Sequence, residues 1–338
     1  DTAVRIIHFY FNQLGQTTKK KIISRIDGYH GSTYMAMSIT GVEFDHVGFD
    51  VDNQMVHHIS CPNPYRRTEG MSLEDFCDSK VAELEDKILE LGADNVAAFF
   101  AEPIFGAGGV IVPPPGYHRK TQEVCNKYGV LYVSDEVVTG FGRLGHMFAS
   151  KDEFDLQPDI ITCAKGLTSG YLPLSATILS DDIYDVISIP QAKGALFTHG
   201  FTYSGHPVSC AAGLKNIEIM ERENLCEHVN DVGDYFERQL KTLEDLDIVG
   251  EVRGRKFMMC IENVADKETK ELLHEDAEVG TRIANHCQNR GLIVRPLAHM
   301  NVMSPPLVMT RKDVDRMVNI LRESITETMS DLSNDGYL

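Results

Sequence analysis

The sequence is short of basic charge, and its first exclusions follow from that. Its 338 residues carry 32 lysines and arginines against 50 aspartates and glutamates, a net charge of −18. No basic run is concentrated enough to overcome that repulsion, which argues against nucleic acid or an anionic membrane surface as partner. An anionic small molecule could still be held locally, by backbone N–H groups and single side chains. No run of 18 apolar residues is present, so no membrane-spanning helix is expected. The eight cysteines, at 61, 77, 125, 163, 210, 226, 260 and 287, form no C-x-x-C pair. Their irregular spacing speaks for free thiols in a reducing cytoplasm and against a disulfide framework or zinc ribbon. The thirteen histidines include no H-E-x-x-H, and the adjacent His57 and His58 would face opposite ways on a strand, so no metal site is expected. Low-complexity tracts and internal repeats are also missing. What remains, 43% hydrophobic and 24% charged, is the composition of a globular chain long enough for one large domain or two ordinary ones.

Two strand-like runs carry the chemistry. Gly129-Val130-Leu131-Tyr132-Val133-Ser134-Asp135-Glu136 ends on an acid, and Pro158-Asp159-Ile160-Ile161-Thr162-Cys163-Ala164-Lys165-Gly166 ends on a lysine. A lysine in so apolar a setting is costly unless something uses or neutralises it. An acid and a lysine at two strand ends suit one cofactor held at two points, and pyridoxal phosphate (PLP) fits. A lysine forms a Schiff base with its aldehyde, and a carboxylate keeps its pyridine nitrogen protonated. Taken alone, the pair leaves plainer readings open: a surface lysine at a strand end for Lys165 and a helix cap for Asp135.

Along the chain, Asp1 to Leu14 reads as an amphipathic helix with Val4, Ile7, Phe11 and Leu14 on one stripe. A domain seldom opens on such a helix, and an N-terminal piece of the natural protein is expected to precede it. Lys20 to Ile26 reads as a strand, with a helical stretch from about Ser32 to Ile39; residues 41–70 read as a long surface excursion. Helices are expected at Leu73 to Leu91, Tyr117 to Tyr128 and Pro207 to Arg222. Strands are expected at Asn95 to Phe100, 130–134, 159–163 and 174–179. This alternation predicts a layered α/β fold with parallel strands and function at the strand ends. The texture changes after 206, so a large domain is expected over 1–230 and a smaller α/β domain over 231–338.

Several motifs then occur in a familiar order. Ser134-Asp135-Glu136-Val137-Val138-Thr139-Gly140-Phe141-Gly142-Arg143 resembles the cofactor motif of class III aminotransferases. Ala164-Lys165-Gly166-Leu167-Thr168-Ser169-Gly170-Tyr171-Leu172-Pro173 resembles their Schiff-base motif. Gly28-Tyr29-His30-Gly31-Ser32, Ala101-Glu102-Pro103-Ile104 and Gly200-Phe201-Thr202-Tyr203-Ser204-Gly205-His206-Pro207 match too. The resemblance covers nearly the whole chain and lies closest to the branch that uses ω-amino acids or amines with pyruvate. It implies PLP-dependent transferase fold type I and an aminotransferase.

The same resemblance implies roles. Lys165 would carry PLP and act as general base, and Asp135 would hold the pyridine nitrogen. Tyr29 and Val137 would cover the two ring faces, and Glu102 would sit near the phenolic oxygen. Thr202 would reach the phosphate in the neighbouring subunit, implying a homodimer with a shared site. Arg295 would grip a substrate carboxylate with its planar fork, and Arg143 would serve as a salt-bridge partner behind the site. Glutamate-using members often carry a second acid five residues after the Glu of Glu-Pro; here that position is Ala107, as in pyruvate-using relatives. The family's phosphate-binding Gly-Ser turn would precede Asp1, so the chain as given is expected to bind PLP weakly or not at all. Two alternatives stay open: an aminomutase or decarboxylase on the same scaffold, and a non-catalytic protein that kept the fold.

Overall fold

Val-Ala-Ala-Phe-Phe-Ala, the strand Val96–Ala101, has all its side chains buried, the mark of a central strand covered on both faces. The structure is a computed structural model that describes all 338 residues. In chain order its first strands are β1 (Lys21–Arg25), β2 (Val56–Ile59), β3 (Val96–Ala101), β4 (Leu131–Asp135), β5 (Ile160–Cys163) and β6 (Ala176–Leu179). They form one sheet in the order β2-β1-β3-β4-β5-β6. All neighbours are parallel except β6, which returns antiparallel along β5.

The period-two alternation of strands sorts side chains to opposite faces. Ala98, Phe100, Leu131 and Val133 join one core; Phe99, Ala101, Val130 and Tyr132 join the other. The helices in this part are α1 (Thr2–Gln13), α2 (Tyr34–Ile39), α3 (Glu43–His46), α4 (Leu73–Leu91), α5 (Tyr117–Lys127), α6 (Ala149–Phe154), α7 (Asp181–Ser188) and α8 (Pro207–Arg222). Val4, Ile7 and Phe11 of α1 and Ile183 of α7 fill the first core. Leu84 and Ile88 of α4 and Val124 and Cys125 of α5 fill the second. Helix α4 shows why these boundaries were legible. The Ser72 hydroxyl accepts from the Asp75 N–H at 3.0 Å, two acids sit in the first turn, and Gly92 ends the helix at φ +81.

The remaining elements are α9 (Leu225–Lys241), β7 (Val249–Arg255), β8 (Met258–Asn263), α10 (Val279–Asn289), β9 (Arg295–Leu297), β10 (Met300–Met303) and α11 (Arg311–Asn334). Their sheet, β7-β8-β10-β9, is antiparallel throughout. Phe236, Phe257, Ile283, Leu321 and Ile325 belong to its core. A capping box between Thr310 and Asp313 starts α11. Two compact units result: residues 1–108, 113–141 and 148–222, and residues 109–112, 142–147 and 223–338.

Two expectations need correction. The excursion at 41–70 contains α3 and the edge strand β2, which pairs with β1 over Val56–Ile59. Its pairing partner lies more than thirty residues away, so local pattern gave no sign of it. Leu14, placed on the buried stripe of α1, is 44% exposed because it caps the helix beyond its last packed turn.

Candidate active site

Parallel strands deliver their carboxyl ends to one edge of a sheet, and the loops that follow them meet there. Here β1, β3, β4 and β5 are successive neighbours. Tyr29 and His30 follow β1, Glu102 follows β3, Asp135 ends β4, and Lys165 lies just past β5. The registers Ala101 with Ser134 and Asp135 with Thr162 put these groups side by side. A cleft of about 370 Å³ opens at Tyr29, lined also by Ser32, Met37, Phe44, Asp45, Val47 and Phe49; Glu102, Asp135 and Lys165 do not line it. A larger cleft, about 560 Å³, is lined by Lys19, Asp94 and Gly129 among others, residues that precede β1, β3 and β4. It therefore lies at the opposite strand ends. There the Lys19 ammonium is fully occupied, donating to the carbonyls of Val96, Tyr128 and Gly129 at 2.9–3.2 Å.

Asp135 is buried, 8% exposed. Its Oδ1 accepts from the Val137 N–H at 3.1 Å, and its Oδ2 lies 2.8 Å from Nδ1 of His30. A carboxylate only accepts, so Nδ1 is the protonated nitrogen of that ring. Each oxygen keeps a further lone pair.

Glu102 is 4% exposed, and both its oxygens accept backbone N–H groups, Oε1 from Tyr29 at 3.0 Å and Oε2 from Gly106 at 2.7 Å. Burial pushes its carboxyl above the usual range; His30 opposes the rise, Asp135 adds to it, and the two N–H groups oppose it again. The turn beneath is pinned by buried groups. Arg25, fully buried and stacked 4.0 Å from the Phe105 ring centroid, donates to the Glu102 carbonyl at 2.6 Å. His118 donates from Nε2 to the Pro103 carbonyl at 2.8 Å and holds the Tyr132 hydroxyl at Nδ1, 2.9 Å away.

Lys165 corrects an expectation: it is exposed. The Gly166 turn carries it out past the apolar strand, so its ammonium keeps its hydration and avoids the burial cost. Its backbone lies in the left-handed region at φ +37, which a non-glycine residue adopts only under constraint. The constraint is visible: Nδ2 of Asn216 on α8 donates to the Gly166 carbonyl at 2.8 Å and to the Leu167 carbonyl at 3.2 Å.

Tyr29, Glu102, Asp135, Val137 and Lys165 are thus brought to one edge. Thr202 sits exposed in the turn between α7 and α8. Arg295 opens β9 in the second unit, exposed, opposite Val302. Arg143, expected in a salt bridge, instead donates to the carbonyls of Phe257 at 3.1 Å and Pro305 at 2.5 Å, with burial drawing its pKa down to about 10. Buried carbonyls compete well for a guanidinium when no acid lies within reach. Sequence reasoning missed His30, Arg25 and His118. His30 stood inside the quoted Gly28-Tyr29-His30-Gly31 motif; the other two carried no local signal.

The arrangement fits PLP. One exposed amine stands at a constrained turn on the strand beside a buried carboxylate with accepting capacity to spare. In addition, Nε2 of His30 is buried without a protein partner, as expected of a site that reserves polar groups for something else.

The model of the class III aminotransferase family matches residues 1–325. An uncharacterized aminotransferase of Sinorhizobium fredii is 42% identical over 99% of this chain and 73% of its own length. Gamma aminobutyrate transaminase 1, mitochondrial, of Solanum lycopersicum is 40% identical over 97% of this chain and 64% of its own length. The solved omega transaminase of Pseudomonas jessenii in complex with PMP superposes with a TM-score of 0.95 at 38% identity, covering 99% of this chain and 74% of that one. The chain therefore spans between 64% and 74% of the length of these relatives. Family, fold type and cofactor stand as the motifs implied: the chain belongs to the class III aminotransferases, PLP-dependent transaminases of fold type I.

Proposed function

We propose that this protein moves an amino group from an ω-amino acid or other amine to pyruvate. The observation that carries the reading is the row of Glu102, Asp135 and Lys165 past the ends of three neighbouring strands, with Tyr29 past a fourth. PLP, when bound, supplies an electron sink for the carbon that bears the amine.

The chain's own residues do the rest. Lys165 Nζ would hold PLP at its aldehyde carbon and, as a free amine, would be the group that takes up and returns the proton that amino transfer requires. An exposed amine suits this task, because the substrate must reach it. Asp135 Oδ1 or Oδ2 would accept from the pyridine N–H and keep that nitrogen cationic. Tyr29 and Val137 would cover the ring faces and exclude water, and Glu102 would lie by the phenolic oxygen. Arg295 receives the carboxylate of pyruvate. Ala107, where glutamate-using relatives often carry an acid, favours pyruvate over a diacid.

Thr202 completes the phosphate site of a second subunit. Phe201 and Tyr203 beside it are 66% and 80% exposed, which suits a surface that a second copy covers. A stable, active monomer would rule this out. No helix is long and apolar enough to cross a membrane, and the eight cysteines form no disulfide; a cytoplasmic setting belongs to the proposal.

The test is a donor panel on full-length protein with pyruvate as acceptor: β-alanine, γ-aminobutyrate, taurine, a diamine and an aromatic amine. Alanine formation from at least one donor is expected, together with borohydride fixation of the cofactor on Lys165. Fixation on another lysine, or no alanine from any donor, overturns the reading.

A further inference from the structure

Glu136 follows Asp135 directly and has no part in the reading so far. It is completely buried, and both carboxylate oxygens are engaged twice. Oε1 accepts from the Ser150 N–H at 2.8 Å and from the Ser150 hydroxyl at 2.5 Å. Oε2 accepts from the Ala149 N–H at 2.9 Å and from the Thr139 hydroxyl at 2.9 Å. The Ser150 hydroxyl, its proton given to Glu136, accepts from Ser134 at 2.8 Å. Both neighbours of Asp135, Ser134 and Glu136, are thereby tied to the first turn of α6. That turn needs them: the N-cap residue Phe148 supplies no side-chain acceptor, and the first N–H groups of a helix have no partner within it.

The backbone of Glu136 extends the connection to the lysine. Its N–H donates to the Thr162 carbonyl on β5 at 2.9 Å, and its carbonyl accepts from the Gly140 N–H at 3.0 Å. The turn so closed places Phe141, at φ +54, against Gly166. A Cβ added to Gly166 would fall 2.9 Å from Cβ of Phe141 and 3.4 Å from the Gly140 carbonyl oxygen. The Lys165-Gly166 turn therefore packs against the Gly140-Phe141 turn with no space for a side chain between them.

We propose that Glu136 is the positioning residue that sets Asp135 and Lys165 relative to each other. It acts through α6 on one side and through Gly140 and Phe141 on the other. This deepens the PLP reading of those two residues and rests on it. A plain structural role would cost stability alone. A positioning role also alters what the bound cofactor feels from its two protein contacts.

Glu136→Gln keeps the volume, but an amide nitrogen cannot accept, so whichever way it turns either the Ala149 or the Ser150 N–H loses its partner. The experiment titrates full-length apo protein with PLP and follows the visible band of the bound cofactor against pH, beside the thermal midpoint of the apo form. Glu136→Gln should weaken PLP binding about tenfold and move the pH midpoint of the band by about one unit. Glu123→Gln, an equal charge change on the exposed face of α5, should move neither. If Glu136→Gln does not fold, the isosteric Thr139→Val takes its place: it should shift both readouts in the same direction, and Thr139→Ser, which keeps the hydroxyl, should restore them. A folded Glu136→Gln, or a Thr139→Val, with parental affinity and parental band midpoint overturns the proposal while leaving the function standing. A parent protein that takes no cofactor on Lys165 overturns both.

Discussion

His30 and Asp135, 105 residues apart in the chain, meet across the sheet edge with Nδ1 and Oδ2 2.8 Å apart, their side chains only 4% and 9% exposed. A carboxylate given one N–H by Val137 and another by His30 cannot rotate freely, so its remaining lone pairs point in fixed directions. Replacing His30 with Phe keeps a ring of similar width and removes the donor. One charge-assisted hydrogen bond lost from a dry site amounts to about 1.5–3 kcal/mol. We expect kcat to fall roughly tenfold or more with KM for pyruvate little changed, since Arg295 is untouched. Steady-state kinetics with unchanged kcat would show that Asp135 needs no such partner.

Asp135→Asn tests the charge itself. The amide keeps the shape and one accepting oxygen, but its NH₂ faces His30, whose Nδ1 must then give up its proton to accept. The cation on the pyridine nitrogen loses its counter-charge. A rate loss of at least about a hundredfold is expected, because a preorganised charge in a water-poor site is worth several kcal/mol. Near-normal turnover in the variant would remove Asp135 from the site.

His118 gives the protein a built-in acid sensitivity. Burial is the main cause that draws its pKa down to about 3 from the ordinary 6.5, with Arg25 adding to the fall and the Pro103 carbonyl opposing it. In the unfolded chain it titrates near the ordinary value, so the unfolded state binds the extra proton first as pH drops. Its contribution is present above about pH 6.5 and is lost as pH falls toward 3. Thermal midpoints between pH 7 and 4 should therefore fall more steeply in the parent than in His118→Gln, which cannot titrate. Equal slopes would mean that other groups carry the acid response.

How far the sequence could be read depended on where each residue's partners lie. Helices α4 and α8 came out at their true bounds because their signals are local: Ser72 and the acids of the first turn, Gly92 at the end, Pro207 at a start. Strands β3, β4 and β5 were legible as short apolar runs, and Asp135 and Lys165 as the polar residues that end them. Strand β2 was not, because Val56-His57-His58-Ile59 gains its place only by pairing with β1. The exposure of Lys165 was equally hidden, since the backbone turn at Gly166 decides it. Arg25, His118 and Glu136 act through partners 77, 15 and 14 residues away, distances over which no periodicity reports.

Arg295 and Ala107 together make the substrate prediction. A guanidinium that binds a carboxylate in one half-reaction must tolerate its absence when the donor is a plain amine. By the family resemblance, an acid at position 107 would be the arginine's resting partner and would suit a substrate that alternates between one and two carboxylates. Ala107 offers no such partner, so a longer diacid gains little over pyruvate. Full-length protein should therefore use pyruvate in preference to 2-oxoglutarate. Arg295→Ala should raise KM for pyruvate by about ten- to a hundredfold, the equivalent of roughly 1.5–3 kcal/mol for a lost charge-assisted contact. KM for an amine without a carboxylate should move far less, because that substrate never used the contact. Better kinetics with 2-oxoglutarate, or pyruvate kinetics indifferent to Arg295→Ala, would mean that another group receives the carboxylate.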